Sequence, residues 1–497
     1  MTINSILIVG GGMAGWSVAA LLAKQLPRIR IHLLDTEIAD EPAAESAAPT
    51  LREFHRLLDI DERSLAQACD ATFSLAHRFS DWSRSGSDYW IGLGESGRAI
   101  DGIEFQQYAN LLRQCGDSTA YDAWSLTAQA ARHYKFNPLS DHERAQGFQL
   151  PYALQLNARL YRDRLRDLAI ALGVRTTRGE IAQLELDTHR GTIKNVRLWD
   201  GNCLHADFFF DCSGASAQVL SRLPEYTYQE TPRHKLLGDR RLDWETPAQA
   251  PGYSHVKAQP LGWKKSVPLH SCTQEQFWYS SDLLADGQAV EKIQMLYPDA
   301  SIHAVQLRPG MSPRPWLKNC VALGTAAGEM SNLVLSPLHR VHSGILRWLE
   351  LFPAGDGAVF AAEYNRLTCL EHERLVDFHW LPFALSQRDD SPYWRACSAA
   401  PWSESLQERI ALFRHCGKVA RYEQDSFSPA TWASFFLANH CWPTTCDARL
   451  QAVNIEQVHR YTSRYKLQVQ QMIAAMPTQD DYLSAYYAQG ETFGALP

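Results

Sequence analysis

This chain of 497 residues has eleven cysteines, and nothing gathers them. No CxxC pair occurs, and the closest two, Cys441 and Cys446, fit no zinc pattern. A metal centre is therefore not expected, and scattered thiols suit a reducing cytoplasm. No basic block is present. The net charge is −7 with acids and bases interspersed, which argues against a nucleic-acid partner. No apolar run of about 18 residues occurs, so no membrane span is expected. Ile6 to Leu22 is apolar but broken by glycines, and the residues before it carry no basic group, so a signal peptide is not expected either. Repeats and low-complexity tracts are also missing, which excludes solenoids and disordered arrays. What is there is ordinary globular material, 45% hydrophobic and 21% charged, enough for two or three merged units. Fifteen tryptophans suit a large pocket or plain core packing.

The strongest signal lies at the amino terminus. Ser5-Ile6-Leu7-Ile8-Val9 reads as a buried strand that runs into Gly10-Gly11-Gly12-Met13-Ala14-Gly15 and then an apolar helix. A second apolar strand ends at Asp35. Strand, glycine turn, helix, strand and acid make the arrangement of a dinucleotide site. Gly10 permits the tight turn, Gly12 lets a pyrophosphate approach the backbone, and Gly15 lets helix and strand pack closely. The helix start offers unpaired N–H groups and a positive dipole end. Asp35 is placed to accept from ribose hydroxyls.

Along the chain, residues 38–48 read as a loop containing Pro42, with Pro49 just beyond, and residues 50–58 and 63–82 as helices. Residues 83–147 read as inserted loops and short helices. Residues 157–172 read as an amphipathic helix with Leu160, Leu165, Leu168 and Leu172 on one side. Strands are expected at 181–186 and 193–198, with a turn at Gly201-Asn202, then at 207–211, in a strand-rich stretch over 236–307, and at 316–324. From Gly344 onward helices dominate. The implied units are residues 1–235 with insertions at 83–150, a strand-rich middle region at 236–310, a return segment at 311–350 and a helical region at 351–497.

Further segments join the glycine turn. Residues 10–16 read Gly-Gly-Gly-Met-Ala-Gly-Trp, and residues 207–214 end Asp-Cys-Ser-Gly. Residues 316–324 read Trp-Leu-Lys-Asn-Cys-Val-Ala-Leu-Gly, and residues 388–394 read Arg-Asp-Asp-Ser-Pro-Tyr-Trp. In that order, over nearly the whole length, they resemble the flavin-dependent tryptophan halogenases, FAD enzymes related to the aromatic hydroxylase flavoproteins. The resemblance implies an α/β fold. Its core would be a Rossmann-like FAD domain of glutathione-reductase type, with an inserted substrate region and a helical C-terminal part. It implies FAD, reduced by a separate flavin reductase, against Gly10, Gly12, Met13, Ala14, Gly15, Asp35, Glu45, Gly324, Ser343 and Gly344. A homodimer stays open. It also implies a chemistry in which reduced FAD and oxygen turn halide into hypohalous acid, which crosses a tunnel to an aromatic ring. In the family a lysine directs that acid, and a glutamate polarises it or takes the ring proton. A Trp-x-Trp-x-Ile-Pro segment between the two sites suppresses hydroxylation.

Set against that family, the chain departs where the chemistry is done. Counting back from Phe79 and Trp82, the lysine position, in a segment read as helical, is Ser74. The glutamate position falls on His339 in Ser336-Pro337-Leu338-His339, and two extra residues precede Ser343-Gly344. The tryptophan segment reads Trp263-Lys264-Lys265-Ser266-Val267-Pro268, so Lys265 replaces its second Trp. Ile91 and Leu93 hold the positions that stack the substrate indole, which argues against tryptophan as substrate. Pro42-Ala43-Ala44-Glu45 replaces a Gly-x-Gly-Glu run, adding a Cβ where positive φ or close cofactor approach is at stake.

The candidates for catalysis are therefore His339, Lys265 and Ser74, with Ile91, Leu93, Trp263 and Pro268 at the substrate. Each has a plainer reading. His339 and His342 are either paired site groups or partly exposed loop histidines. Lys265 faces the tunnel with Trp263 or lies at the surface. His77 and Arg78 face pocket or solvent, and Glu45 holds the cofactor loop or is a solvated acid. The expected function is an FAD-dependent oxidoreductase of the halogenase family, acting on a non-tryptophan aromatic or a larger scaffold, with halogenation itself open. An FAD-dependent monooxygenase or oxidase, and a non-catalytic relative that binds flavin or another ligand, are the alternatives.

Overall fold

Ser5–Val9 is a strand whose last four side chains are all buried, the pattern of a strand covered on both faces. It pairs in parallel with Arg30–Asp35 on one side and Phe208–Asp211 on the other. The computed structural model describes residues 3–36, 43–46, 51–352 and 357–488. Around that strand it builds a six-stranded sheet in the order Trp316–Leu317, Cys320–Ala322, Phe208–Asp211, Ser5–Val9, Arg30–Asp35, Arg175–Arg178. All neighbours are parallel except the first two. Helix Met13–Gln25 packs against helices Ala158–Ala171 and Leu338–Glu350. This is the expected Rossmann-like α/β unit.

A second sheet has seven strands in the order His303–Gln306, Arg240–Pro247, Cys272–Tyr279, Gly262–Pro268, Tyr253–Gln259, Ala76–Ser80, Asp88–Gly92. It takes strands from both sides of residue 235, and only the Tyr253–Gln259 and Ala76–Ser80 pair is parallel. A small antiparallel sheet of Ala44–Ser46, Ala153–Asn157 and Thr72–Ser74 packs against both this sheet and helix Ala158–Ala171. Helices Gly357–Ala384, Pro392–Ala399, Glu404–Cys416, Pro429–Ala438 and Ile455–Ala475 form most of the C-terminal part. No helix among the described residues is long and apolar enough to cross a membrane.

Several local expectations are corrected. The helix expected over 63–82 stops at Ala68. Asp70 turns left-handed at φ 54°, and Thr72–Ser74 and Ala76–Ser80 are strands. Residues 71–77 are all buried, and a run buried on both faces carries no period to separate strand from helix. In the expected loop at 38–48, Ala44–Ser46 is a strand. Ala44 is thus extended, and its Cβ meets no positive φ. Ile38, Pro42, Ala48, Pro49 and Thr50 lie outside the described residues. Residues 316–324 form a hairpin rather than one strand, turning at Lys318 with φ 55°. Helix Ala158–Ala171 buries Ala158, Tyr161, Leu165 and Ala169, so of the expected leucine row only Leu165 is fully buried. The alanines let it approach helix Met13–Gln25, while Leu160 and Leu172 stay exposed. Asp88–Gly92 is a strand inside the stretch expected to hold only loops and short helices. Helix Leu338–Glu350 starts before Gly344.

Candidate active site

The glycine turn is shaped by backbone contacts. Gly10 has φ +119°, and a Cβ on it would lie 2.2 Å from the Cys212 carbonyl oxygen. A Cβ on Gly15 would lie 1.9 Å from the Gly10 carbonyl oxygen, so helix and turn touch only because that position is bare. Gly11, which the spacing left without a role, is pressed on by Asp35: a Cβ there would lie 1.6 Å from the Asp35 Oδ1. Gly12 caps helix Met13–Gln25 with no side-chain hydrogen bond, leaving the first N–H groups to a ligand.

In front of the turn lies a cleft of about 250 Å³ whose walls include Met13, Ala14, Gly214, Gly324, Glu45 and Leu338. Gly324 has φ +65°, and a Cβ on it would crowd the Ala14 Cβ at 3.3 Å. A cradle kept open by bare glycines at an uncapped helix start fits the diphosphate of FAD. Met13, Ala14, Glu45 and Gly324 line this cleft, while Gly10, Gly12 and Gly15 form the turn behind it, with Asp35 beside Gly11. Ser343 and Gly344 are not brought in. Ser343 Oγ donates to Glu371 at 3.0 Å, and Gly344 makes room for Leu323. Arg241 and Arg340 also line the cleft, and no spacing in the sequence pointed to either.

A second cavity, of about 260 Å³, is lined by Ser74, Ile91, Leu93 and His339 together with Phe378 and Phe435. Among the described residues its wall contains no aspartate, glutamate, lysine or arginine. Ser74 is buried and its Oγ donates weakly to the Ala76 carbonyl at 3.4 Å. His339 is a helix residue, not a loop histidine, and its Nε2 lies 3.1 Å from Ser426 Oγ and 3.3 Å from Glu371 Oε1. Burial favours the neutral acid of Glu371, but His339, Arg347 at 3.1 Å and Ser343 outweigh it and hold the carboxyl below its usual value. His77 faces this chamber, with Nδ1 buried and unpaired. Burial, helped by the charge of Lys265, pushes its ring down to about 3, so it is neutral. Arg78 instead pairs with Asp88 at 2.7 Å.

The partition between cleft and chamber is one residue thick. Glu45 lines the cleft and its neighbour Ser46 the chamber; Leu338 lines the cleft and His339 the chamber. In the strand, this is the two-residue alternation of side chains. Lys265 is buried in the same region, 4% exposed, its Nζ donating to the Asn332 carbonyl at 3.3 Å. Burial pushes it down to about 8, opposed by the charge of Glu45 and reinforced by Arg241. Glu45 is likewise no solvated acid: it accepts from Ser336 Oγ at 2.5 Å. Polar neighbours continue the wall, with Ser46 and Ser254 hydroxyls 2.8 Å apart and Gln155 Nε2 donating to Ser254 at 2.9 Å.

Three expected residues lie elsewhere. Trp263 is fully buried, stacks on Trp278 at 5.1 Å and donates Nε1–H to the Leu237 carbonyl at 2.9 Å. Pro268 offers its carbonyl to Thr72 Oγ1 at 2.7 Å. Neither lines the chamber. His342 is buried against Phe54, ring centroids 3.6 Å apart, and does not pair with His339 across the site. Among the described residues no group of His, Cys, Asp and Glu could hold a metal ion.

Comparison with known proteins places this geometry. The family model for tryptophan halogenase matches residues 5–454. The tryptophan 6-halogenase SttH of Streptomyces toxytricini is 27% identical over 446 residues, 83% of this chain and 84% of that one. The tryptophan 7-halogenase RebH of Lentzea aerocolonigenes is 27% identical over 441 residues, 83% of this chain and 82% of that one. The structure of BrvH, a flavin-dependent halogenase from Brevundimonas sp. BAL3, superposes with a TM-score of 0.92 at 30% identity, covering 98% of this chain and 99% of that one.

Proposed function

The chain belongs to the tryptophan halogenase family, and from that premise we propose that it halogenates a neutral aromatic ring held in the apolar chamber, with Lys265 as the relocated ammonium. It is an FAD-dependent enzyme, and FAD reaches it reduced, from a separate flavin reductase. When bound, reduced FAD would supply two electrons to oxygen and the halide the other two, so that one oxygen atom leaves as water and the other as hypohalous acid. The residues that would hold it are the bare turn at Gly10 to Gly15, Gly324 and the cleft wall containing Glu45.

The observation that carries this reading is the thin partition between cleft and chamber, beside which buried Lys265 donates to the carbonyl of Asn332 in the cleft wall while its charge acts on His77 in the chamber wall. Lys265 Nζ donates a hydrogen bond to the oxygen of hypohalous acid entering the wall. The ring carbon attacks the halogen, a carbon–halogen bond forms and the oxygen–halogen bond breaks. The departing hydroxide meets the lysine's donor as charge develops on oxygen. The ring then gives up its proton to His339. Glu371 holds the Nε2 proton, so the lone pair of the neutral ring is on Nδ1, and the resulting imidazolium is stabilised by the carboxylate. Proton and hydroxide together make water. Ser74, Ile91 and Leu93 shape the space around the ring. A zwitterionic amino acid would strand both charges in a wall without ionic partners, which supports a neutral ring over tryptophan.

The test is reconstitution with FAD, a flavin reductase, NADH, oxygen and bromide over a panel of phenols and indoles, read by mass spectrometry. Brominated product is expected from phenols or uncharged indoles. A second reading, oxygenation without halide, is favoured by Ser74, which leaves no ammonium in the chamber lining. A product that gains one oxygen and no bromine would establish it in place of halogenation.

A further inference from the structure

A third cavity, of about 380 Å³, lies next to the ring chamber. The two share the strand Asp88–Gly92 and the helix Pro429–Ala438. Asp88, Tyr89 and Trp90 line the third cavity and Ile91, Gly92 and Leu93 the chamber; Ser434, Leu437 and Ala438 face the former, Thr431 and Phe435 the latter. Along the strand the two lining segments are centred about 10 Å apart, at roughly 3.3 Å per residue.

The chemistry of the two cavities is opposite. The third one carries Arg84, Arg113, Arg132 and His440 against Asp88 and Asp122. Both acids already have partners: Asp88 pairs with Arg78 at 2.7 Å and Asp122 with Arg132 at 2.5 Å. Among the described residues, Arg84 and Arg113 have no carboxylate within salt-bridge distance. Arg113 lies over the Trp442 ring at 4.5 Å, and the charges of Arg84 and Arg113 converge on His440. Ser83 Oγ, on the lining and only 2% exposed, has no hydrogen-bond partner among the described residues. An unsatisfied buried hydroxyl beside two unpaired guanidiniums is the donor set of an anion site. Trp90 and Trp442 supply aromatic faces for the chain that carries the anion.

We propose that this cavity holds the anionic end, a carboxylate, sulfate or phosphate, of an extended substrate whose ring lies in the neighbouring chamber. The proposal rests on the chamber being the ring site. It gives the substrate a form: a neutral aromatic head joined to a negatively charged tail, with the charge about 10 Å from the head along the strand.

The experiment is calorimetric titration of the FAD-loaded protein with 4-hydroxyphenylalkanoates of increasing tail length and with their terminal amides. Acids are expected to tighten as the tail reaches the arginines, ending about tenfold tighter than the matching amides. The Arg84→Gln, Arg113→Gln double variant, altered at exposed positions, should erase that difference and leave the amides unchanged. Equal affinity of acids and amides at every length would overturn the proposal. So would an acid preference that survives the double variant. If the shortest acid already shows the full arginine-dependent gain, the cavity binds a separate anion, and the extended-substrate proposal fails. Because binding is read without turnover, failure to brominate any of these compounds counts against the proposed function and not against this site.

Discussion

The cofactor cleft and the ring chamber stand one residue apart, yet they are built on different principles. The cleft is made of backbone. Its shape depends on the missing Cβ atoms of Gly10, Gly15 and Gly324 and on an uncapped helix start. The chamber is made of side chains from segments far apart in the chain, Ser74, Ile91, His339, Phe378 and Phe435. A backbone-built site has one solution, because an added carbon meets a carbonyl that cannot step aside. A side-chain-built site keeps its walls while the groups on them change. The difference explains how a glycine turn can keep its pattern while Ser74, His339, Ile91 and Leu93 stand at the positions the resemblance implies for the lysine, glutamate and stacking rings.

The largest effect should come from the turn behind the cleft. Gly10→Ala puts a Cβ 2.2 Å from the Cys212 carbonyl oxygen at a residue with φ +119°. Strain and clash together should cost about 3 kcal/mol or more. FAD binding, read by flavin fluorescence quenching, should be lost, with a lower melting temperature. If the variant binds FAD like the parent, the cleft is more plastic than the comparison holds.

Next comes the partition. Lys265→Met should lower bromination about 100-fold, the scale of losing one donor to developing charge. It also leaves Glu45 without its buried cation, so stability should fall; adding Glu45→Gln should recover stability without recovering bromination. The ammonium donates only while protonated, so turnover should decline above about pH 8, the value to which burial pushes Lys265. The stability sign is opposite. The unfolded lysine keeps its proton up to about 10.5 and the folded one only to about 8, so the unfolded chain binds more protons in that window. The cost of the buried charge is full below 8 and fades as pH rises through it. Turnover that rises above pH 8 would assign the work to the neutral amine.

How much of this was legible follows from the same contrast. The glycine turn, Asp35 and the strand Phe208–Asp211 are local patterns, read directly from spacing. Ile91, Leu93, Ser74 and His339 reach one chamber because the resemblance supplied positions that no periodicity marks. Glu371 escaped, and His77 stayed undecided between pocket and solvent, because their placement arises from packing between elements distant in sequence. Glu371 meets His339 only when helix Gly357–Ala384 lies on Leu338–Glu350, and His77 faces inward only through the parallel pairing of Ala76–Ser80 with Tyr253–Gln259. Trp263 and Pro268 kept the family's identities while their side chains serve packing and a strand contact. A retained residue type is weaker evidence of a role than a retained spacing of glycines.

A smaller effect should come from the support behind His339. Glu371→Gln keeps the shape of the carboxyl but removes the charge that stabilises the imidazolium. The turnover number should fall about tenfold with KM unchanged, as outer partners of a working imidazole typically cost. A fall in stability with no change in turnover number would make Glu371 a purely structural anchor for Arg347 and Ser343.

The smallest effect should belong to Ser74, the residue that the resemblance places at the family's lysine position. Ser74 is fully inside, and its hydroxyl makes one long hydrogen bond, 3.4 Å, to the Ala76 carbonyl two residues on. It is thus neither charged nor aimed at a reacting atom by a second partner. Ser74→Ala removes one oxygen and one weak bond, and should change bromination by less than about threefold. If Lys265 carries the ammonium's work from the partition, the chamber wall at position 74 is free to be small. A loss as large as that of Lys265→Met would put the electrophile's handler back on the strand Thr72–Ser74. The chamber would then hold its chemistry in the family's original place, with a hydroxyl doing what an ammonium did.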